Sequence, residues 1–130
     1  MIKPELMAPA GDRTMLSAVI KEGADAVYFG ADKLNMRAKA SNFSVEELKD
    51  VADFCGQHNV KTYLTLNTIL YEEELSEAEE LIVEAKNAGI DNIICWDLAA
   101  AELCSKNNMP FCISTQASVS NSLKIGRAHV

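Results

Sequence analysis

Five short β-rich runs alternate with four amphipathic stretches of helical period, and no hairpin turn separates any two of the runs. That beat constrains the chain more than any other feature. Strands joined without hairpins pair in parallel, and parallel pairs need crossover helices of fixed, right-handed sense. The first run is Glu5–Ala8, closed by Pro9-Ala10-Gly11. Asp12 then opens a helix with Met15, Leu16, Val19 and Ile20 on one face, and Gly23 is placed to end it in a left-handed cap. The second run, Ala26–Phe29, is apolar throughout, as expected of a strand covered on both faces. A long loop, Ala31 to Ser44, leads to Ser44-Val45-Glu46-Glu47, a capping box for a helix carrying Leu48, Val51, Ala52 and Cys55 inward. Asn59 is placed to stop it.

The third run is Val60–Leu66, ending on Asn67. Ser76-Glu77-Ala78-Glu79 predicts a second capping box within the next helix, whose Leu75, Ala78, Leu81, Ile82 and Ala85 face inward. Ala88-Gly89 closes that helix. A fourth strand, Asn92–Trp96, ends at Asp97, and the alanine-rich helix Leu98–Ser105 follows. Phe111–Ser114 is the fifth strand, running into Thr115-Gln116.

Two α/β architectures accommodate this order, an open doubly wound sheet and a (β/α) TIM-like barrel. Periodicity alone divides evenly between them. The steady strand–helix beat, with no glycine-rich phosphate loop after the first strand, favours the barrel. A complete barrel takes about 250 residues, and this chain has 130. The expected fold is therefore the N-terminal half of such a barrel over residues 1–123, with about five parallel strands and four helices. An expanse of unclosed sheet edge goes with it, and with that edge an expectation of self-association.

Chemistry in either architecture gathers at the C-terminal ends of the strands. Those ends carry Asp12, Gly30 with its long loop, Asn67, Asp97 and Gln116. Asn67, Asp97 and Gln116 are the expected substrate-binding residues, with Arg37 reaching in from the second loop as a fork for a carboxylate or phosphate. Asp12 reads most simply as a helix cap, and Asp97 divides evenly between cap and pocket. Catalytic residues cannot be named: there is no GxSxG, no HExxH and no cysteine with a histidine beside it. An aldolase would place a Schiff-base lysine at a strand end, and none of the five ends has one.

The four cysteines, Cys55, Cys95, Cys104 and Cys112, form no CxxC pair, and neither His58 nor His129 stands at ligand spacing. They read as small buried hydrophobes, so no metal site is expected in this stretch. A net charge of −7 argues against a clamp on the nucleic-acid backbone while leaving room for a single base in a pocket. Apolar runs fall short of membrane-spanning length and the start lacks the pattern of a signal peptide, so a cytoplasmic location and no membrane partner are expected.

Five ordered blocks carry a family resemblance: PELMAPAGD (Pro4–Asp12), GADAVYFG (Gly23–Gly30), LNMRAKASNFS (Leu34–Ser44), KTYLTLNTILY (Lys61–Tyr71) and ISTQASVSN (Ile113–Asn121). Together they resemble the start of the collagenase-like (U-thirty-two) peptidase family over nearly all of Met1–Leu123. The resemblance implies a barrel-like domain of a cytoplasmic enzyme bearing a peptidase, collagenase-like label. It equally implies kinship with enzymes of oxygen-independent hydroxylation, acting on RNA bases or quinone precursors. Those relatives hold an iron–sulfur cluster on cysteines further along the chain, which the four here do not match. A third expectation is a non-catalytic, substrate-binding barrel half that works with a partner. Residues 124–130, KIGRAHV, resemble the in-frame translation of a sequencing-adapter oligonucleotide and are expected to be a non-native tail.

Overall fold

The computed structural model describes residues 2–36 and 42–124. Five strands, β1 (Met7–Pro9), β2 (Ala26–Gly30), β3 (Lys61–Thr65), β4 (Asn92–Cys95) and β5 (Phe111–Ile113), form one sheet in the order β1-β2-β3-β4-β5. Every neighbouring pair is parallel. The crossovers are helices α1 (Arg13–Lys21), α2 (Leu48–Gln57), α3 (Leu75–Ala88) and α4 (Leu98–Lys106). Sequential order without reversal, joined by right-handed crossovers, stacks all helices on one face. Consistent with that layer, α2 packs on α3 and α3 on α4. The strand order has no switch point, as a doubly wound sheet would require, and the sheet stays open at β1 and β5. This is half of a (β/α) barrel.

Alternation along each strand sorts the two faces. Val27, Phe29, Thr62, Leu64, Leu66, Ile93 and Cys95 are buried and belong to the helix side of the sheet. Leu16 of α1, Leu48, Val51 and Cys55 of α2, Leu81 and Ile82 of α3 and Cys104 of α4 complete that core. On the other face the register aligns Pro9, Tyr28, Tyr63 and Asn92 in one row. Gly30, Thr65, Ile94 and Cys112 make the next. Members of these rows are half-buried or exposed, except Gly30. They face what would be the barrel interior.

Helix ends follow local chemistry. Asp12 Oδ1 accepts the Met15 N–H at 2.8 Å and caps α1. Gly23 and Gly89 take φ of +97° and +95°, and Asn59 takes +57°, the left-handed conformations that end α1, α3 and α2. The Ser44–Glu47 box forms, with Glu47 Oε2 accepting the Ser44 N–H at 2.7 Å. It opens a single 3₁₀ turn, Val45–Glu47, before α2.

The expected box at Ser76–Glu79 does not start α3. The third helix begins earlier, through a 3₁₀ turn at Glu72–Glu74, and Glu74 Oε2 accepts the Tyr71 N–H at 2.9 Å. Glu74 lies three residues after an N–H that no helical carbonyl serves, so it competes successfully for the N-terminus. Ser76 is left inside the helix. Strand limits differ from expectation by one or two residues, most at the first, where Glu5 is drawn off to Lys61 and Tyr63.

Gly30 is fixed by crowding rather than by backbone angle. A Cβ there would lie 2.6 Å from Asn42 Oδ1 and 2.7 Å from Asn35 Cγ. Asn35 is buried and its amide donates to the carbonyls of Ala31 and Lys33, so the start of the second loop folds over the end of β2.

Candidate functional site at the strand ends

At the C-terminal rim three segments distant in sequence meet through side-chain amides. Asn67, two residues beyond β3, accepts the backbone N–H of Met36 on Oδ1 at 3.1 Å. Its Nδ2 donates to Gln116 Oε1 at 3.2 Å. Gln116 lies in a 3₁₀ turn after β5, Thr115–Ala117, that Ser114 caps. The Ser114 hydroxyl donates to the same Gln116 oxygen at 3.2 Å, and Gln116 Nε2 points at Met36 Sδ. Directly after β4 the half-buried Trp96 indole N–H donates to the Asn67 carbonyl at 2.6 Å. The second loop is held down a second time by the Thr68 hydroxyl, which donates to the Leu34 carbonyl at 3.3 Å. Among the described residues the meeting point is built of amides, a hydroxyl and an indole.

Of the four residues expected there, Asn67 and Gln116 come together. Asp97 is spoken for: Oδ1 accepts the Ala99 N–H at 2.8 Å as the cap of α4, and Oδ2 accepts the Leu70 N–H at 2.9 Å. Both of its oxygens tie backbone, which fixes the β3–α3 loop. Arg37 lies outside the described residues. Sequence reasoning passed over Met36, Trp96 and Ser114. The position of Trp96 directly before a strand-end aspartate was the available signal.

A cavity of about 440 Å³ lies at the opposite rim, lined in part by Glu5, Asp25, Lys61 and Asp91. Its carboxylates hold strand starts in place. Asp25 accepts the Leu6 N–H, and Asp91 accepts both the Thr62 N–H and its hydroxyl. Glu5 takes Lys61 Nζ at 2.8 Å, which pulls the Glu5 carboxyl below its ordinary range and pushes the Lys61 ammonium up. These groups serve the stability end of a barrel.

Three of the thiols, Cys55, Cys95 and Cys112, are poor nucleophiles. Burial pushes Cys55 up to about 11. A hydrogen bond to the Cys104 thiol, with burial added, raises Cys95, and burial raises Cys112. Iron–sulfur chemistry requires thiolates gathered in one place. Among the described residues no group of three or more Cys, His, Asp or Glu could hold a metal, so these residues do not fit such a cluster. His58 sits at the end of α2 with Nδ1 2.9 Å from the Phe54 carbonyl, its ring against Phe54 at 4.7 Å. Among the described residues its ring nitrogen bonds a carbonyl and no thiol. Iodoacetamide at about pH 8 should leave the native protein almost unlabelled, Cys112 reacting first as the one half-buried thiol. Cys55, Cys95 and Cys104 are buried away from the reagent, and Cys55, with a pKa of about 11, is about 0.1% thiolate at that pH. Mass spectrometry reads the labels, and all four should react after unfolding.

The model of peptidase family U32 matches residues 11–128. The chain belongs to that family. A protein named collagenase from Porphyromonas gingivalis (strain ATCC BAA-308 / W83) is 43% identical over 90% of this chain and 28% of its own length. The tRNA hydroxylation protein P1 of Bacillus subtilis (strain 168) is 34% identical over 92% of this chain and 29% of its own. The chain thus spans under a third of the length of these curated relatives. Among solved structures, the U32 peptidase Mk0906 superposes with a TM-score of 0.67 at 13% identity, over 90% of this chain and 51% of that one. That likeness concerns the fold. It supports the half barrel read from strand order. No helix among the described residues is long and apolar enough to cross a membrane.

Proposed function

We propose that this family U32 chain supplies the base-binding rim of an enzyme that modifies RNA, with hydroxylation as the chemistry. The observation that carries the reading is the Asn67–Gln116 amide pair beside Trp96. Amides read the hydrogen-bonding edge of an uncharged ring, and an indole offers it a stacking face. The name of the Bacillus subtilis relative supports the same direction. A net charge of −7 is compatible with gripping the base and leaving the phosphates to other parts of the protein. Hydroxylation by way of an iron–sulfur cluster would draw its ligands from elsewhere, because these four cysteines do not fit one. No step through a cluster is derived from this chain.

Trp96 is the sole tryptophan, so its fluorescence reports directly on the rim. Titration with nucleosides should quench it and saturate, with little dependence on salt, since no phosphate is neutralised. Absence of any change with nucleosides, alongside saturable quenching by a collagen-type peptide, would reverse the reading. The peptidase alternative rests on the identity to the collagenase-named relative. It is weakened by the raised thiols and by the engagement of His58. A cytoplasmic location accompanies the proposal. So does self-association through the unpaired edges of β1 and β5, an open template for pairing with a second chain. Light scattering should accordingly give a mass above that of one chain.

A further inference from the structure

We infer that Gln116 is the specificity-determining donor of this rim, set by its neighbours to select a carbonyl oxygen over an amino group on the ligand's edge. The inference rests on the nucleobase reading above and deepens it. A backbone N–H can only donate, so the Met36 N–H 3.1 Å away obliges Asn67 to present Oδ1 to it. Asn67 must then turn its NH₂ toward Gln116, 3.2 Å away, and Gln116 must answer with its oxygen. The Ser114 hydroxyl donates to that same oxygen. With two donors on it, the Gln116 oxygen has both lone pairs filled and nothing left to accept with.

What the pair still offers is all of one sign. Asn67 keeps a second N–H, and among the described residues the Gln116 amide nitrogen has only the weak thioether of Met36 as a protein partner. Gln116 is exposed, so these donors meet a ligand arriving at the strand ends. The polarity is thus imposed by a single main-chain N–H in the second loop and relayed through two side chains to the rim. A carbonyl on a ring satisfies those donors, whereas an amino group in its place meets them donor to donor and leaves both unpaired.

Uridine presents a carbonyl and a ring N–H at this edge where cytidine presents an amino group and an unprotonated ring nitrogen. The pair serves as the probes, the carbonyl-against-amino position being the one set against Gln116, read by Trp96 fluorescence on the full chain. Wild type should bind uridine about tenfold tighter than cytidine. Gln116→Glu, nearly the same shape but an acceptor on both oxygens, should cancel or invert that preference. Gln116→Ala should narrow the preference to what the Asn67 N–H groups, still oriented by the Met36 main chain, supply. Circular dichroism checks that each variant folds. Equal binding of both nucleosides by wild type, tighter cytidine binding, or an unchanged preference in Gln116→Glu would overturn the inference and leave the nucleobase reading standing. Binding of neither nucleoside would overturn both.

Discussion

Leu64→Ala is expected to cost about 2–5 kcal/mol of folding stability, among the larger losses from one side chain in this fold. Leu64 lies on the central strand β3, its register partners are Phe29 and Ile93, and it is fully buried. Its side chain belongs to the single core between sheet and helices, beside Leu66, Ile82 and Val51. Strands on both sides fix the backbone there, so the cavity left by truncation cannot collapse. Domains of this size have roughly 5–15 kcal/mol in total, so the loss is a large fraction of the whole. Urea denaturation followed by circular dichroism measures it, as a lower midpoint with an unchanged slope. A change below about 1 kcal/mol would mean that the site relaxes freely, and that the sheet is less rigid than its parallel register implies.

Asn67→Ala should be the most damaging substitution for binding. One side chain there meets the second loop through Met36 and the β5 turn through Gln116. Its removal frees the Met36 N–H and unlocks the orientation of Gln116, so nucleoside affinity should fall at least about tenfold. Stability should change little by comparison, since Asn67 is half-buried and outside the core. The Trp96 bond is to the Asn67 main chain and survives the substitution, so the fluorescent reporter stays in place. Retained nucleoside affinity in Asn67→Ala, measured by the same quenching, would remove the amide pair from the site.

The two predictions draw on different ranges of interaction, and the same division separates what is legible in the amino-acid sequence from what is not. Strand–helix alternation, the Asp12 cap, the Ser44–Glu47 box and the left-handed stops at Gly23, Asn59 and Gly89 are legible because each is decided within four residues of itself. Parallel pairing follows from the absence of hairpins. Competition between local signals is harder. Ser76 and Glu79 carry the local capping pattern, and only the packed helix shows that Glu74, bonded to the Tyr71 N–H, marks the start instead.

The rim belongs to the tertiary structure. Asn67 and Gln116 are 49 residues apart, and Asn67 and Met36 are 31 apart. Asp97 suits cap and pocket equally by its position in the chain, and the Leu70 N–H, 27 residues away, takes its second oxygen. No local pattern encodes such a meeting, because it depends on which strand ends the sheet order brings side by side. The sequence by itself determined the elements, their parallel sense and the buried face, since periodicity and capping are short-range physics. Only the folded sheet decided which strand-end side chains meet and which way their amides point. Hydrogen-bond polarity has no direction until a fixed donor, here the Met36 main chain, sets it.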